Sequence, residues 1–317
     1  MKLEEIYNLA IERGAAADPR GKEEVEKFLA KKSKEWEELS QEEKEDFDRE
    51  ELTNPYNDTR ILFGEGDDMV SSVLAGIDIS VGEVMLADRL KEKGEPIDLL
   101  LAHHPGGRAL AGLYEVMHLQ EEILFKLGVP INISEGLLEQ RIGEVERNLL
   151  PVNHMQAVDA ARLLNIPMMC AHTPADNLVV HFLDHLFTEH QPETLGDIIQ
   201  ILKKIPEYKY AVAQKFGPRI VVGDKDKRAG KIFVDMTGGT EGSEDAYAKL
   251  AQAGVGTIVG MHMGEKHRKE AKKNHINVII AGHYSSDSLG MNLLLDDLED
   301  KGVKVNTCSG LFRVKRK

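Results

Sequence analysis

Ile97-Asp98-Leu99-Leu100-Leu101-Ala102-His103-His104-Pro105 sets a short aliphatic run against two histidines and a proline. Such a run predicts a buried strand, and Pro105 favours its having ended where the histidines stand. Upstream, Val73-Leu74-Ala75-Gly76-Ile77 predicts another buried strand, closed by Asp78, and residues 83–93 between the two read as helix. This β-α-β order implies a parallel pair with a right-handed crossover. Ligand sites in such sheets form at the carboxyl ends of the strands, which is where His103 and His104 fall.

The pattern recurs downstream. Residues 166–171 predict a strand that runs into His172-Thr173-Pro174-Ala175-Asp176, and 278–281 predict one that runs into Gly282-His283-Tyr284-Ser285-Ser286-Asp287. Residues 110–127, 137–164 (interrupted at Pro151), 176–187 and 288–301 read as helix, and 129–133 as strand. Asp176 or Thr173 is a candidate N-cap for the helix over 176–187. From 191 to 262 the chain reads as a second domain, with strands at 219–223, 231–235 and 257–260 and a helix at 244–253. Residues 1–53 read as a helical extension. Ile6, Leu9 and Ala10, then Val25, Phe28 and Leu29, recur at helical spacing, and the Lys- and Glu-dense stretch 31–51 predicts a solvated arm.

Bulk composition bounds the function. The chain has 317 residues, 42% hydrophobic and 30% charged, which suits one large domain or two ordinary ones. A net charge of -14 disfavours nucleic acid, because phosphate binding needs a basic field. Lys and Arg dominate 313–317, a tail expected to be solvated. Cys170 and Cys308 offer no disulfide framework and fit a reducing compartment. No apolar leader follows Met1, and no stretch approaches the roughly 18 apolar residues of a membrane helix, so a cytoplasmic location is expected.

The three strand-then-His segments supply imidazoles and two carboxylates, the donor set of divalent Zn, Fe, Mn, Co or Ni. His103 and His104 can serve one ion together only if the strand has ended; otherwise each serves a different ion of a pair. His172 and Asp176, like His283 and Asp287, are four apart and share a face if helical. Two carboxylates and several imidazoles are the complement for two metals held close together. Each segment alone is a weak signal; their shared position after strands is what joins them.

Other candidates have plainer readings. His181 and His185 lie on a helix with Val179, Phe182, Leu183 and Leu186, which suggests a partly buried, satisfied face. His118, His154, His190, His267 and His275 read as surface residues, and His262, after a strand, as a possible cleft lining. The glycine-rich stretch from Gly238 to Ser243 lacks a phosphate-binding signature and reads as a tight strand-to-helix turn. Cys170 reads as a buried structural thiol. Ser285 and Ser286 lack a nucleophile elbow.

His103-His104-Pro105 after a strand, His172-Thr173 with Asp176, and Gly282-His283-Tyr284 with Asp287 together resemble the NIF-three-like dinuclear-metal family. Many of its members are called GTP cyclohydrolase I type 2. The resemblance spans roughly residues 54–295. It implies two α/β domains: an outer one from the N- and C-terminal parts (54–190 with 263–317) and an inserted middle one (191–262). It implies that His103, His104, Asp176, His283 and Asp287 hold two divalent ions, with one or both carboxylates bridging and His172 beside them as an acid–base candidate. It also implies a homohexameric ring, and a metal-dependent hydrolase acting on a small molecule such as a nucleotide or phosphoester. The alternative is a non-catalytic metal-binding or regulatory protein. Three departures mark this chain: Asp287 stands where the family carries Glu, residues 111–165 form a long insertion, and the first 50 residues have no family counterpart.

Overall fold

A computed structural model of the protein describes residues 1–316. Nine strands form two sheets: β1 (Arg60–Phe63), β2 (Ser72–Gly76), β3 (Leu99–Ala102), β4 (Met168–Cys170), β5 (Arg219–Val222), β6 (Lys231–Asp235), β7 (Val255–Gly260), β8 (Asn277–Ile280) and β9 (Lys304–Cys308). The first sheet has the order β1-β4-β3-β2-β9, the second β5-β8-β7-β6. Each is parallel except for one antiparallel edge strand, β1 against β4 and β5 against β8. The predicted parallel pair is present, with Val73 opposite Leu99 and the helix Val81–Glu92 as its crossover.

β2 and β3 are buried along their whole length, as aliphatic strands covered on both faces must be. Alternate side chains serve different cores. Val73, Ala75, Leu99 and Leu101 pack against the helices Leu3–Ala16, Thr173–His190 and His283–Asp300. Leu74 and Leu100 pack the other way, against Val84, Ala87 and Val158. The helices Thr173–His190 and His283–Asp300 cross where Gly290 meets the carbonyl of Ala175, and a Cβ on Gly290 would collide with that oxygen. Only glycine permits so close a crossing.

Several expectations need correction. The N-terminal segment is not wholly an extension. In the helix Leu3–Ala16, Leu3, Ile6 and Ala10 are fully buried in the first-sheet core, while the polar helix Lys22–Glu38 buries only Val25. Residues 129–133 are no strand. Pro130 precedes the helix Ile131–Leu149, its missing N–H costing nothing at a helix start; a short apolar run does not by itself distinguish strand from buried helix. The helix expected over 110–127 is broken at Gly112 and Met117. The last long helix begins at His283, not 288. The boundary at 262 does not follow the sheets, because β8 pairs with both β5 and β7, so the chain returns to the first-sheet core only after it.

The basic tail is tethered as far as it is described; Lys317 lies outside the described residues. Arg313 pairs with Asp296 at 2.6 Å and Glu299 at 2.7 Å, and Arg316 pairs with buried Glu207 at 2.5 Å. The Phe312 ring stacks on Tyr210 at 3.9 Å. Among the described residues no helix is long and apolar enough to cross a membrane.

If the first helix belongs to the core, Ile6→Ala costs about 2–5 kcal/mol, the loss expected for truncating a fully buried Ile. Urea unfolding of the metal-free protein measures it; a loss within about 0.5 kcal/mol, as at a surface position, would return the segment to a dispensable arm.

Candidate metal centre

The carboxyl ends of β3, β4 and β8 converge. β3 runs into His103 and His104, β4 into Ala171 and His172, and β8 into Gly282 and His283. His172 occupies the N-cap position of the helix Thr173–His190 and gives no side-chain cap, so neither Thr173 nor Asp176 caps it; both lie inside the first turn. Asp176 thus sits in the first turn of its helix, where the helix dipole favours negative charge, and Asp287 in the second turn of its own. Gly282 has φ +120, and a Cβ there would lie 2.6 Å from Ser285 Oγ, so the turn into the second helix requires glycine.

Three imidazoles are fixed through Nδ1. His103 Nδ1 lies 3.2 Å from the Ala171 carbonyl, His104 Nδ1 2.7 Å from Asp78 and His172 Nδ1 2.7 Å from Asp58. A carbonyl or carboxylate oxygen only accepts, so in each neutral ring Nδ1 carries the hydrogen and Nε2 keeps its lone pair. These Nε2 atoms face carboxylates. His103 Nε2 is 3.5 Å from Asp176 Oδ1 and 3.6 Å from Asp287 Oδ1. His104 Nε2 and His283 Nε2 are each 3.6 Å from Asp287 Oδ2, and His172 Nε2 is 3.8 Å from Asp176 Oδ2.

None of these is a hydrogen bond. Asp176 Oδ1 and both oxygens of Asp287 are buried without any hydrogen-bond partner. Buried polar atoms are normally satisfied, so three orphaned carboxylate oxygens ringed by lone pairs need an explanation. A cation supplies one. Two ligand atoms about 2.1 Å from one tetrahedral ion stand about 3.4 Å apart, close to the spacings observed. His103 with Asp176 and Asp287, and His104 with His283 and Asp287, form groups that could each hold an ion; His103, His104 and His172 form a third. Asp287 belongs to two of them. Although one methylene shorter than Glu, its carboxylate sits between three imidazoles.

The electrostatics agree. Burial, then the charges of Asp287 and Asp58, holds Asp176 well above its ordinary range. Burial also acts to raise Asp287, but His103, His283 and His104 outweigh it and leave that group lowered. Asp58, raised by burial, is lowered overall by hydrogen bonds from His172 and Thr173. Burial lowers His283, favouring the neutral ring that ligation needs.

All six predicted site residues therefore meet. Sequence reading missed Asp58 and the role of Asp78. Asp78 had a signal, since it follows a strand adjacent to β3; Asp58, in a loop before an edge strand, had none. His262 does line the cleft, its ring 5.0 Å from His283. His267 is not a surface residue: it lines the same cleft, 3.3 Å from Glu241. His181 and His185 are exposed rather than partly buried. Cys170 is buried and its thiol pushed up to about 12, chiefly by burial, which removes it as a nucleophile. Ser285 and Ser286 both donate to the Gly282 carbonyl. The Gly238 turn is clamped by Gln120, whose Nε2 donates to Gly238 at 2.6 Å and Thr240 at 2.7 Å. Gln120, Ile123, Leu124 and Leu138, from the 111–165 segment, line the cleft.

A buried carboxyl with a raised pKa stabilises the fold below its unfolded value and loses that contribution as pH rises through the folded one. At pH 8, Asp176→Asn should therefore stabilise chelator-treated protein by about 1 kcal/mol. The same variant should lose most of the stabilisation that added divalent metal confers. Thermal unfolding with and without metal checks both signs; destabilisation of the metal-free form would show that Asp176 is already satisfied.

No protein-family model and no curated protein matches the chain. Solved structures do. The NIF3 superfamily protein from Sphaerobacter thermophilus is 27% identical, with a TM-score of 0.71 over 80% of this chain and 92% of that one. Reduced HcgD from Methanocaldococcus jannaschii, at 15% identity, shares the fold with a TM-score of 0.52, over 84% of this chain and 94% of that one. The resemblance carried by His103-His104-Pro105, His172 to Asp176 and His283 to Asp287 is thus met by a likeness of fold across most of the chain: this protein resembles the NIF3 superfamily.

Proposed function

We propose that the protein is a dinuclear, divalent-metal-dependent hydrolase. The observation that carries the reading is the convergence of imidazole Nε2 atoms on two buried carboxylates, three of whose oxygens have no other partner. His103, Asp176 and Asp287 hold one ion; His104, His283 and Asp287 hold the other, with Asp287 between them. Such ions polarise a carbonyl or phosphoryl oxygen and acidify water. The protein's own part is to fix the ligands. Asp58, Asp78 and the Ala171 carbonyl orient the imidazoles from behind, as outer partners do in metal sites. His172, hydrogen-bonded to Asp58, is the acid–base candidate. His262 and His267 on the cleft wall give a substrate polar contacts.

Zn, Fe, Mn, Co and Ni all suit this donor set. The substrate class we favour is a nucleotide or other phosphoester, on the strength of the family resemblance and of the room beside the cluster. A homohexameric ring rests on the same resemblance; exposed Leu150 and Leu163 are consistent with subunit contacts. Two unpaired cysteines fit action in the cytoplasm.

Elemental analysis of protein purified without chelator should find about two divalent ions per chain. A His103→Ala, His283→Ala double variant, with circular dichroism confirming its fold, should lose them. Activity on a phosphoester and nucleotide panel should fall at least 100-fold in Asp287→Ala and vanish with chelator. Metal-free wild-type protein would overturn the reading. A metal-loaded protein inert on the whole panel would assign the cluster to metal binding without turnover.

A further inference from the structure

The cleft that exposes the metal cluster continues into a second chamber. Its walls are Ile123, Leu138, Phe233, Tyr247, Leu250 and Ile258. They come from the second sheet, from the helix Ala246–Gln252 and from the 111–165 insertion. The apolar lining belongs to a core in which most of these side chains already pack together, so the chamber is a preformed gap in that core.

One polar group in it is out of place. Asp235 ends β6, opposite Gly260. Among the described residues no hydrogen bond or ion pair reaches its carboxylate. Two of its polar neighbours are already engaged. Glu241 accepts from the Gly264 N–H at 2.8 Å and lies 3.3 Å from His267, whose Nε2 meets the Gly242 carbonyl at 3.0 Å. The Asp235 side chain is open to the cavity yet otherwise surrounded by protein, and burial, then the Glu241 charge, pushes it up to about 6 against a smaller lowering by His267. At neutral pH this leaves an anion open to the cleft and without a side-chain partner, beside apolar and aromatic walls.

A carboxylate in that setting selects for its complement. Its two oxygens match the paired N–H donors of an amidine or guanidine fork. The neighbouring rings of Phe233 and Tyr247 suit a flat or cationic group. Anions are disfavoured by Asp235 and Glu241 together.

We propose that this chamber is a recognition subsite for a planar, N–H-rich or cationic end of the ligand, anchored on Asp235, with the other end of the ligand reaching the metal cluster. The second half rests on the metal-dependent reading above; the first half does not.

Benzamidine, a flat ring bearing an amidinium, is the probe. Titration calorimetry of the full chain, metal-loaded, should show saturable 1:1 binding. Asp235→Asn, isosteric and read alongside its melting temperature, should weaken it about tenfold or more. Acetophenone, of the same shape without N–H groups, should bind at least tenfold more weakly than benzamidine. The His103→Ala, His283→Ala variant should bind benzamidine as wild type does. Equal affinity in Asp235→Asn, or equal affinity for acetophenone, would overturn the assignment; so would loss of binding in the histidine variant, which would put the probe on the cluster. A wild-type protein that holds no metal but binds benzamidine through Asp235 would sink the metal-dependent function and leave the chamber standing.

Discussion

The structure turns on two carboxylates that have been taken out of water and given nothing to bind. Asp176 and Asp287 are almost fully buried, face one another's charge, and keep three oxygens without a donor. Left alone, that arrangement opposes folding, and the elevation of Asp176 records the opposition. The surrounding architecture offsets it in stages. A helix start places partial positive charge beside Asp176. Imidazoles turned by Asp58, Asp78 and the Ala171 carbonyl face the same space. Donors that converge in this way fit cations better than a buried ion-pair network.

The two sheets divide the labour. The first supplies β3 and β4 and so carries His103, His104 and His172; the second supplies β8 and so leads to His283 and Asp287. A centre built this way depends on both sheets holding their register. It also lines a cleft whose wall includes residues of the 111–165 segment. The histidine–aspartate cluster and the apolar wall of the cleft are therefore built from different elements, the first from strand ends and two long helices, the second from the 111–165 segment and the helix after the glycine-rich turn.

Much of this was legible beforehand, for a physical reason. Strands buried on both faces must be aliphatic, so β2, β3, β4, β7 and β8 stand out as short apolar runs, and the residues just after them are natural sites. The edge strands of the first sheet were not legible, though β5 and β6 at the edges of the second were. β1 and β9 are partly exposed and mix polar with apolar residues, as in Lys304–Cys308. Nor was the burial of the first helix, because amphipathic spacing tells which face is apolar and not what covers it. The contact of Asp58 with His172 joins residues 114 apart, and no local pattern announces such a pair. The tail misled for the opposite reason: its local charge suggests solvent, and only the fold shows Glu207, Asp296 and Glu299 waiting for Arg316 and Arg313.

The crossing of Gly290 over the Ala175 carbonyl bears on something other than stability. Ala175 adjoins Asp176, and Gly290 lies one turn beyond Asp287, so the contact acts as a gauge block between the two carboxylates. A ligand substitution changes which atoms meet an ion, whereas a thicker residue at 290 would change how far apart the two halves of the centre stand while leaving every ligand in place. Were the proposed ions bound, the spacing of their two carboxylates would depend on a helix crossing as well as on the ligands. A redesign aimed at larger or smaller cations would then have a dial outside the ligand set, in the width of one backbone contact.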